Sequence, residues 1–220
     1  MKPILFNTEM VRAIQEGRKT CTRRLVKPAA LRGLQEECRA HLEGYTDEEI
    51  VNLSGRPCYP GDVLYVRETW FEYAGQYVYK ASAAQPELWD GMWKPSIHMP
   101  KEAARIFLRV KNVYAERLQK SFSEPIAPIF AVMAEGVDVG ETCRTCIEAY
   151  GTPCCVDEMD DDGTTHGECG LLDEARGDFS DLWDSTIKPA ERERCGWAAN
   201  PWVWVIEFER CEKPEEEKTN

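Results

Sequence analysis

Apolar positions along this chain fall mainly into short runs with period two, which predict strands, and a few helical stretches lie between them. Lys2–Phe6 reads as a short strand. Met10, Val11 and Ile14 then share one helical face, with Asn7 or Thr8 as the cap and Gly17 as the stop. Pro60-Gly61-Asp62 is a turn feeding a strand over Val63–Glu68, and Gln76–Lys80 predicts another. Ile106, Leu108, Val110 and Val113 set a long strand pattern over Ala104–Leu118, bent or in two parts. Ile126–Ala134 is helical and stops at Gly136. Trp202–Arg210 carries the strongest strand pattern, apolar on both faces at first and alternating towards its end.

Three stretches break these patterns. Residues 28–60 are polar and turn-rich, with a short helical pattern near Leu31–Leu42, and read as an insertion or long connection. Residues 137–175 are rich in Cys, Gly and Asp without strand periodicity, which predicts a second insertion. Residues 211–220 are a charged tail. The rest of 1–210 predicts one α+β domain: a small, mostly antiparallel β-barrel with flanking helices, carrying the Cys-rich insertion.

A chain of 220 residues with 43% hydrophobic content can bury one good core. The apolar run after Met1 is only Pro-Ile-Leu-Phe, and no stretch approaches the length of a membrane span. A soluble, cytoplasmic protein with no membrane partner is expected. Ten cysteines in that setting suit thiols or metal ligands better than a disulfide framework. The net charge of −12 opposes indiscriminate nucleic-acid binding. That charge is uneven: residues 1–120 hold 19 Lys+Arg and 15 Asp+Glu, residues 121–220 hold 8 and 24. A small cationic patch on an acidic body fits a nucleotide-sized ligand better than a long duplex; a merely solvated charged face is the plainer alternative.

The cationic patch has a centre. Gly17-Arg18-Lys19-Thr20-Cys21-Thr22-Arg23-Arg24 follows the first helix directly. A glycine stop exposes backbone N–H groups, and clustered Arg and Lys make that corner attractive to anions. Lys19 and Thr22 stand three apart, as an amine base and a hydroxyl nucleophile would. The plainer alternative is a structural ion-pair network.

The order of helix, Gly17-x-Lys19-x-x-Thr22-x-Arg24, Pro60-Gly61-Asp62-Val63-Leu64 and Val203-x-Val205-Ile206-Glu207-Phe208 resembles the ASCH family. Val66-Arg67-Glu68-Thr69-Trp70, Ser96-Ile97-His98-Met99-Pro100 and Leu182-Trp183-Asp184-Ser185 are similar to its phage and prophage branch. The resemblance covers most of 1–120 and 176–210. It implies a PUA-like barrel and recognition of RNA or nucleotides. The family's usual Glu in that motif is replaced here by Thr22, as in the branch that removes the acetyl group from N(4)-acetylcytidine. That likeness implies a catalytic set of Lys19, Thr22 and a Glu that maps to Glu135. Arg18, Arg24, Arg67, Tyr79 and Lys80 are the expected substrate-binding residues, and the expected partner is a nucleoside, nucleotide or single-stranded RNA. No cofactor for catalysis is expected. The alternatives are a noncatalytic RNA- or nucleotide-binding module, or a phage-encoded interaction protein whose protein partner the sequence does not name.

A second constellation lies in the Cys-rich insertion: Cys143-x-x-Cys146, Cys154-Cys155 and His166-x-x-Cys169. A Cys-x-x-Cys knuckle is half of a common structural zinc site, and metal would hold together a segment with little apolar content. Cys143, Cys146, Cys155 and Cys169 are the ligand set adopted, with Cys154 the substitute for Cys155. Plain reduced thiols and a redox role remain the alternatives.

Overall fold

The computed structural model describes residues 1–122, 127–137 and 170–215. Its strands are β1 (Lys2–Leu5), β2 (Cys21–Leu25), β3 (Val63–Arg67), β4 (Trp70–Tyr73), β5 (Gln76–Tyr79), β6 (Phe107–Arg117) and β7 (Trp202–Cys211). The helices are α1 (Thr8–Gln15), α2 (Glu36–Arg39), α3 (Asp47–Leu53), α4 (Ala127–Ala134), α5 (Gly170–Thr186) and α6 (Arg192–Cys195), joined by several 3-10 turns. The class is α+β.

Among the described residues the strands do not close into the barrel that the sequence leads one to expect. Five of them form one sheet in the order β1-β3-β6-β7-β2, and β4 and β5 form a separate two-stranded sheet. β1 runs parallel to β3, with Ile4 opposite Val66, whereas β3 runs antiparallel to β6, with Leu64 opposite Leu108. The large sheet is therefore mixed, and no closed barrel forms among the described residues. A parallel pair needs a crossover of a dozen residues or more. Here α1, β2 and the segment up to Pro60 supply that length between β1 and β3.

The chain divides into two compact units. The first comprises Met1–Cys21, Arg56–Val113 and Ile206–Asn220; the second comprises Thr22–Gly55 and Tyr114–Val205.

In the first unit, the Asn7 carboxamide oxygen accepts from the Met10 N–H at 2.8 Å and starts α1, which buries Val11, Ala13 and Ile14. Gly17 adopts φ +79°, a backbone region that disfavours side chains, and so turns the chain out of the helix. Phe6 meets Phe208 with ring centroids 6.2 Å apart. A second nucleus gathers Trp70, Met99 and Ala103, with Tyr79 packed against it. The β4–β5 hairpin turns on Ala74-Gly75, both with positive φ (49° and 76°), the geometry of a two-residue primed turn.

In the second unit, Leu118, Phe122, Val132, Phe179, Trp183, Val203 and Val205 form the core. Phe122 and Phe179 stack at 4.7 Å, and Trp197 meets both edge-on. Residues 28–60 contain more structure than a polar connection would need. α3 starts with a reciprocal cap in which Glu49 N–H donates to Thr46 Oγ1 at 3.2 Å and Thr46 N–H donates to Glu49 Oε2 at 2.7 Å. It buries Ile50 and Val51, and Asn52 Oδ1 accepts from the Ala115 N–H at 3.1 Å.

β6 is the two-part strand that its pattern announced. Its buried residues are Phe107, Leu108 and Val110 in one part and Val113, Ala115 and Glu116 in the other, separated by exposed Lys111-Asn112. Among the described residues no helix is long and apolar enough to cross a membrane.

Candidate functional site

Residues 17–24 pass from a helix stop into β2, and most of their chemistry is buried. Thr22 is 1% exposed, an unusual fate for a hydroxyl without a task or a partner. Its partner is Arg24, whose Nη1 donates to Thr22 Oγ1 at 2.6 Å and to the Arg23 carbonyl at 2.9 Å. Alternation along a strand puts residues i and i+2 on one face, which is why Thr22 and Arg24 meet.

Arg23, on the opposite face, is the hub of a buried ion network in the second unit. Its Nη1 donates to Glu135 Oε1 at 2.9 Å and its Nη2 to Glu116 Oε1 at 3.2 Å. The guanidinium also lies over the Phe122 ring, 5.0 Å from the centroid. Ser121 Oγ donates to Glu116 Oε1 at 2.7 Å and supplies a further hydrogen bond to that carboxylate. Glu135 follows α4 immediately, and its backbone N–H bonds back to the Ala131 and Val132 carbonyls. The helix end thereby fixes where its side chain starts.

Arg24 belongs to the same electrostatic group. Burial pushes its guanidinium below the ordinary value, and the Glu135 carboxylate opposes that shift. β2 is the last strand in the sheet order. Long side chains leaving its two faces can therefore turn towards one acid. Among the described residues the group brings guanidiniums and carboxylates together, and pairing of opposite charges is the condition under which buried charges are tolerated.

Of the proposed catalytic residues, Thr22 and Glu135 thus lie in one unit and are joined through Arg24. Lys19 lies in the first unit, buried, with its Nζ 5.7 Å from the Phe6 ring centroid and its backbone N–H bonded to the Ala13 carbonyl at 3.0 Å. The remaining expected substrate-binding residues are engaged locally within the first unit. Arg18 pairs with Glu16 through Nε at 2.8 Å. Arg67 Nε donates to the Met99 carbonyl at 2.7 Å. The Tyr79 hydroxyl donates to the Ala103 carbonyl at 2.6 Å, and its ring is stacked by the Arg105 guanidinium at 4.0 Å. Lys80 lies 5.9 Å from the Trp93 ring centroid. These contacts bind the named side chains to neighbouring structure, and a ligand would have to share or displace them. Cys143, Cys146, Cys154, Cys155, His166 and Cys169 fall outside the described residues.

Sequence reasoning passed over Arg23, Glu116 and the pair formed by Glu68 and Arg105. A signal existed for the first two. Arg23 and Glu116 are charged residues within strand segments, where a side chain turned inward needs a partner. No family model, curated protein or solved structure matches this chain. The class of protein rests on fold and site together: an α+β protein with a mixed sheet and a buried hydroxyl–guanidinium–carboxylate group.

Proposed function

We propose that this is an ASCH-type protein that recognises a cytidine-like nucleoside and hydrolyses an acyl group from its exocyclic N4. On this reading the mixed five-stranded sheet stands where that family carries its PUA-like barrel. The observation behind it is the buried Thr22 hydroxyl, which accepts from Arg24 at 2.6 Å while Arg24 answers to the charge of Glu135.

The chemistry follows from those partners. A guanidinium on the hydroxyl oxygen stabilises negative charge developing there and leaves the O–H proton free to depart. Thr22 Oγ attacks the acyl carbonyl carbon. Its proton passes to Lys19, which the chain keeps three residues away and which must be uncharged to receive it. The C–N bond breaks as Lys19 returns that proton to the departing N4 amine, leaving an acyl ester on Thr22. Glu135, a carboxylate in its ion pair with Arg23, takes a proton from water as the water attacks the ester, and gives that proton to Thr22 Oγ as the ester C–O bond breaks, which restores both side chains. The products are the free nucleoside and a carboxylic acid.

The test is hydrolysis of N(4)-acetylcytidine followed chromatographically, with wild type beside Thr22→Ala and Lys19→Ala. Expected are turnover in the wild type, a background rate in Thr22→Ala, and a loss of about 100-fold or more in Lys19→Ala. No turnover at high enzyme concentration would reject the enzyme and leave a noncatalytic nucleoside- or RNA-binding module.

A further inference from the structure

The geometry points to Arg23 as the positioning residue for Glu135: anchored on Glu116, it holds the Glu135 carboxylate in a single place and in its charged form. The catalytic consequence rests on the reading of Glu135 given above. The positioning itself does not, and it can be measured separately.

Arg23 is not part of the Gly-x-Lys-x-x-Thr-x-Arg spacing and lies on the strand face opposite Thr22. Its side chain and that of Glu135 are 3% and 6% exposed. A guanidinium is a planar fork that can serve two acids at once, and this one does so, with Nη1 on Glu135 and Nη2 on Glu116. Glu116 is itself held by the Ser121 hydroxyl and comes from β6, an interior strand of the five-stranded sheet. Phe122 covers the guanidinium face. Each contact removes one freedom from Arg23: Glu116 sets its reach, Phe122 its plane, and Nη1 is thereby directed at Glu135. The charged groups disposed about Glu135 include, among the described residues, Arg23 and Arg24 from β2, with Glu116 of β6 beyond Arg23.

Two substitutions separate charge from geometry. Arg23→Gln removes the charge and keeps an amide donor. Arg23→Lys keeps the charge and loses the fork. The first readout is a carboxyl NMR titration of protein labelled with carbon-13 at glutamate side chains, with Glu135 assigned by comparison with Glu135→Gln. Arg23→Gln is expected to raise the Glu135 midpoint by about one pH unit or more, since an adjacent opposite charge is worth about 1–3 units. Arg23→Lys is expected to leave most of that midpoint in place. The second readout is turnover of N(4)-acetylcytidine. In Arg23→Lys, kcat is expected to fall about 10- to 100-fold, the scale of a misplaced catalytic group, with KM little changed. In Arg23→Gln the acid limb of the pH–rate profile is expected to move to higher pH. An unmoved Glu135 midpoint in folded Arg23→Gln overturns the proposal whether or not the protein turns over. A moved midpoint with wild-type kcat in Arg23→Lys also overturns it, because charge alone would then suffice. A moved midpoint with no turnover in the wild type supports the positioning and removes the hydrolase reading.

Discussion

Removing Arg105 offers a severe test of the electrostatics in the first unit. Glu68 is 1% exposed, and both its carboxylate oxygens are taken by Arg105: Oε1 by Nε at 2.9 Å and Oε2 by Nη2 at 2.9 Å. Arg105 also donates from Nη1 to Ser82 Oγ at 2.9 Å and stacks on Tyr79. Arg105→Ala therefore leaves a carboxylate inside the protein without its counterion. Breaking a buried pair from one side costs about 3–5 kcal/mol. Arg105 is 27% exposed, so water already screens its end of the pair, and the lower figure of about 3 kcal/mol applies. A chain of this length loses about 2–4 °C per kcal/mol, giving a fall of about 6–12 °C in the transition of that unit. Differential scanning calorimetry at neutral pH measures it. The double variant Glu68→Leu/Arg105→Leu should recover most of the loss, because an apolar pair of similar volume carries no desolvation cost. A fall below about 2 °C in Arg105→Ala, or a double variant as unstable as the single, would refute the reasoning.

Other expectations follow from the same kind of contact. Hydrogen bonds from the Thr46 backbone N–H and hydroxyl hold the Glu49 carboxyl below its ordinary range. The cap's contribution is thus complete above the ordinary glutamate value and is lost as pH falls through the lowered one. Hydrogen exchange in α3 should be faster in Thr46→Ala than in the wild type at pH 7, and the gap should narrow at strongly acid pH; equal gaps at both would count against the cap. Burial, with Asp62 adding and Lys2 opposing, pushes the Cys58 thiol up. Iodoacetamide labelling followed by peptide mass spectrometry should therefore find Cys58 slow and exposed Cys38 fast, and equal rates would contradict the burial of Cys58.

The parts of the fold legible in the sequence are those set by local periodicity. α1 has its cap, apolar face and glycine stop in plain order, and β7 has a run of apolar residues that only a buried strand would carry. The hairpin of β4 and β5 was only half visible. Its turn is Ala74-Gly75, and alanine gives no warning of a positive φ in the way that asparagine or aspartate does. α3 was passed over although Thr46-Asp47-Glu48-Glu49 has the spacing of a reciprocal cap, because its seven residues are too few to show a clear apolar stripe. The parallel pairing of β1 with β3 is a matter of long-range register, which no local pattern records.

The site divides in the same way. Thr22 and Arg24 were legible because two residues on one strand face become neighbours as soon as the strand forms. Arg23 was not, because its partners are 93 and 112 residues away in the chain and come from another strand and a helix end. Yet the burial of Arg23 follows once its position between Thr22 and Arg24 is taken seriously. A strand that buries Thr22 on one face and Cys21 on the other has little room to send the Arg23 side chain to water. A buried guanidinium then requires an acid, and the arrangement found supplies two. Arg23 pairs with both acids and Arg24 lies in the field of Glu135, so removing either acid takes a partner from a buried guanidinium. A group built that way resists drift in its geometry, which is the property a nucleophile and its supporting acid need and a merely solvated basic patch does not have.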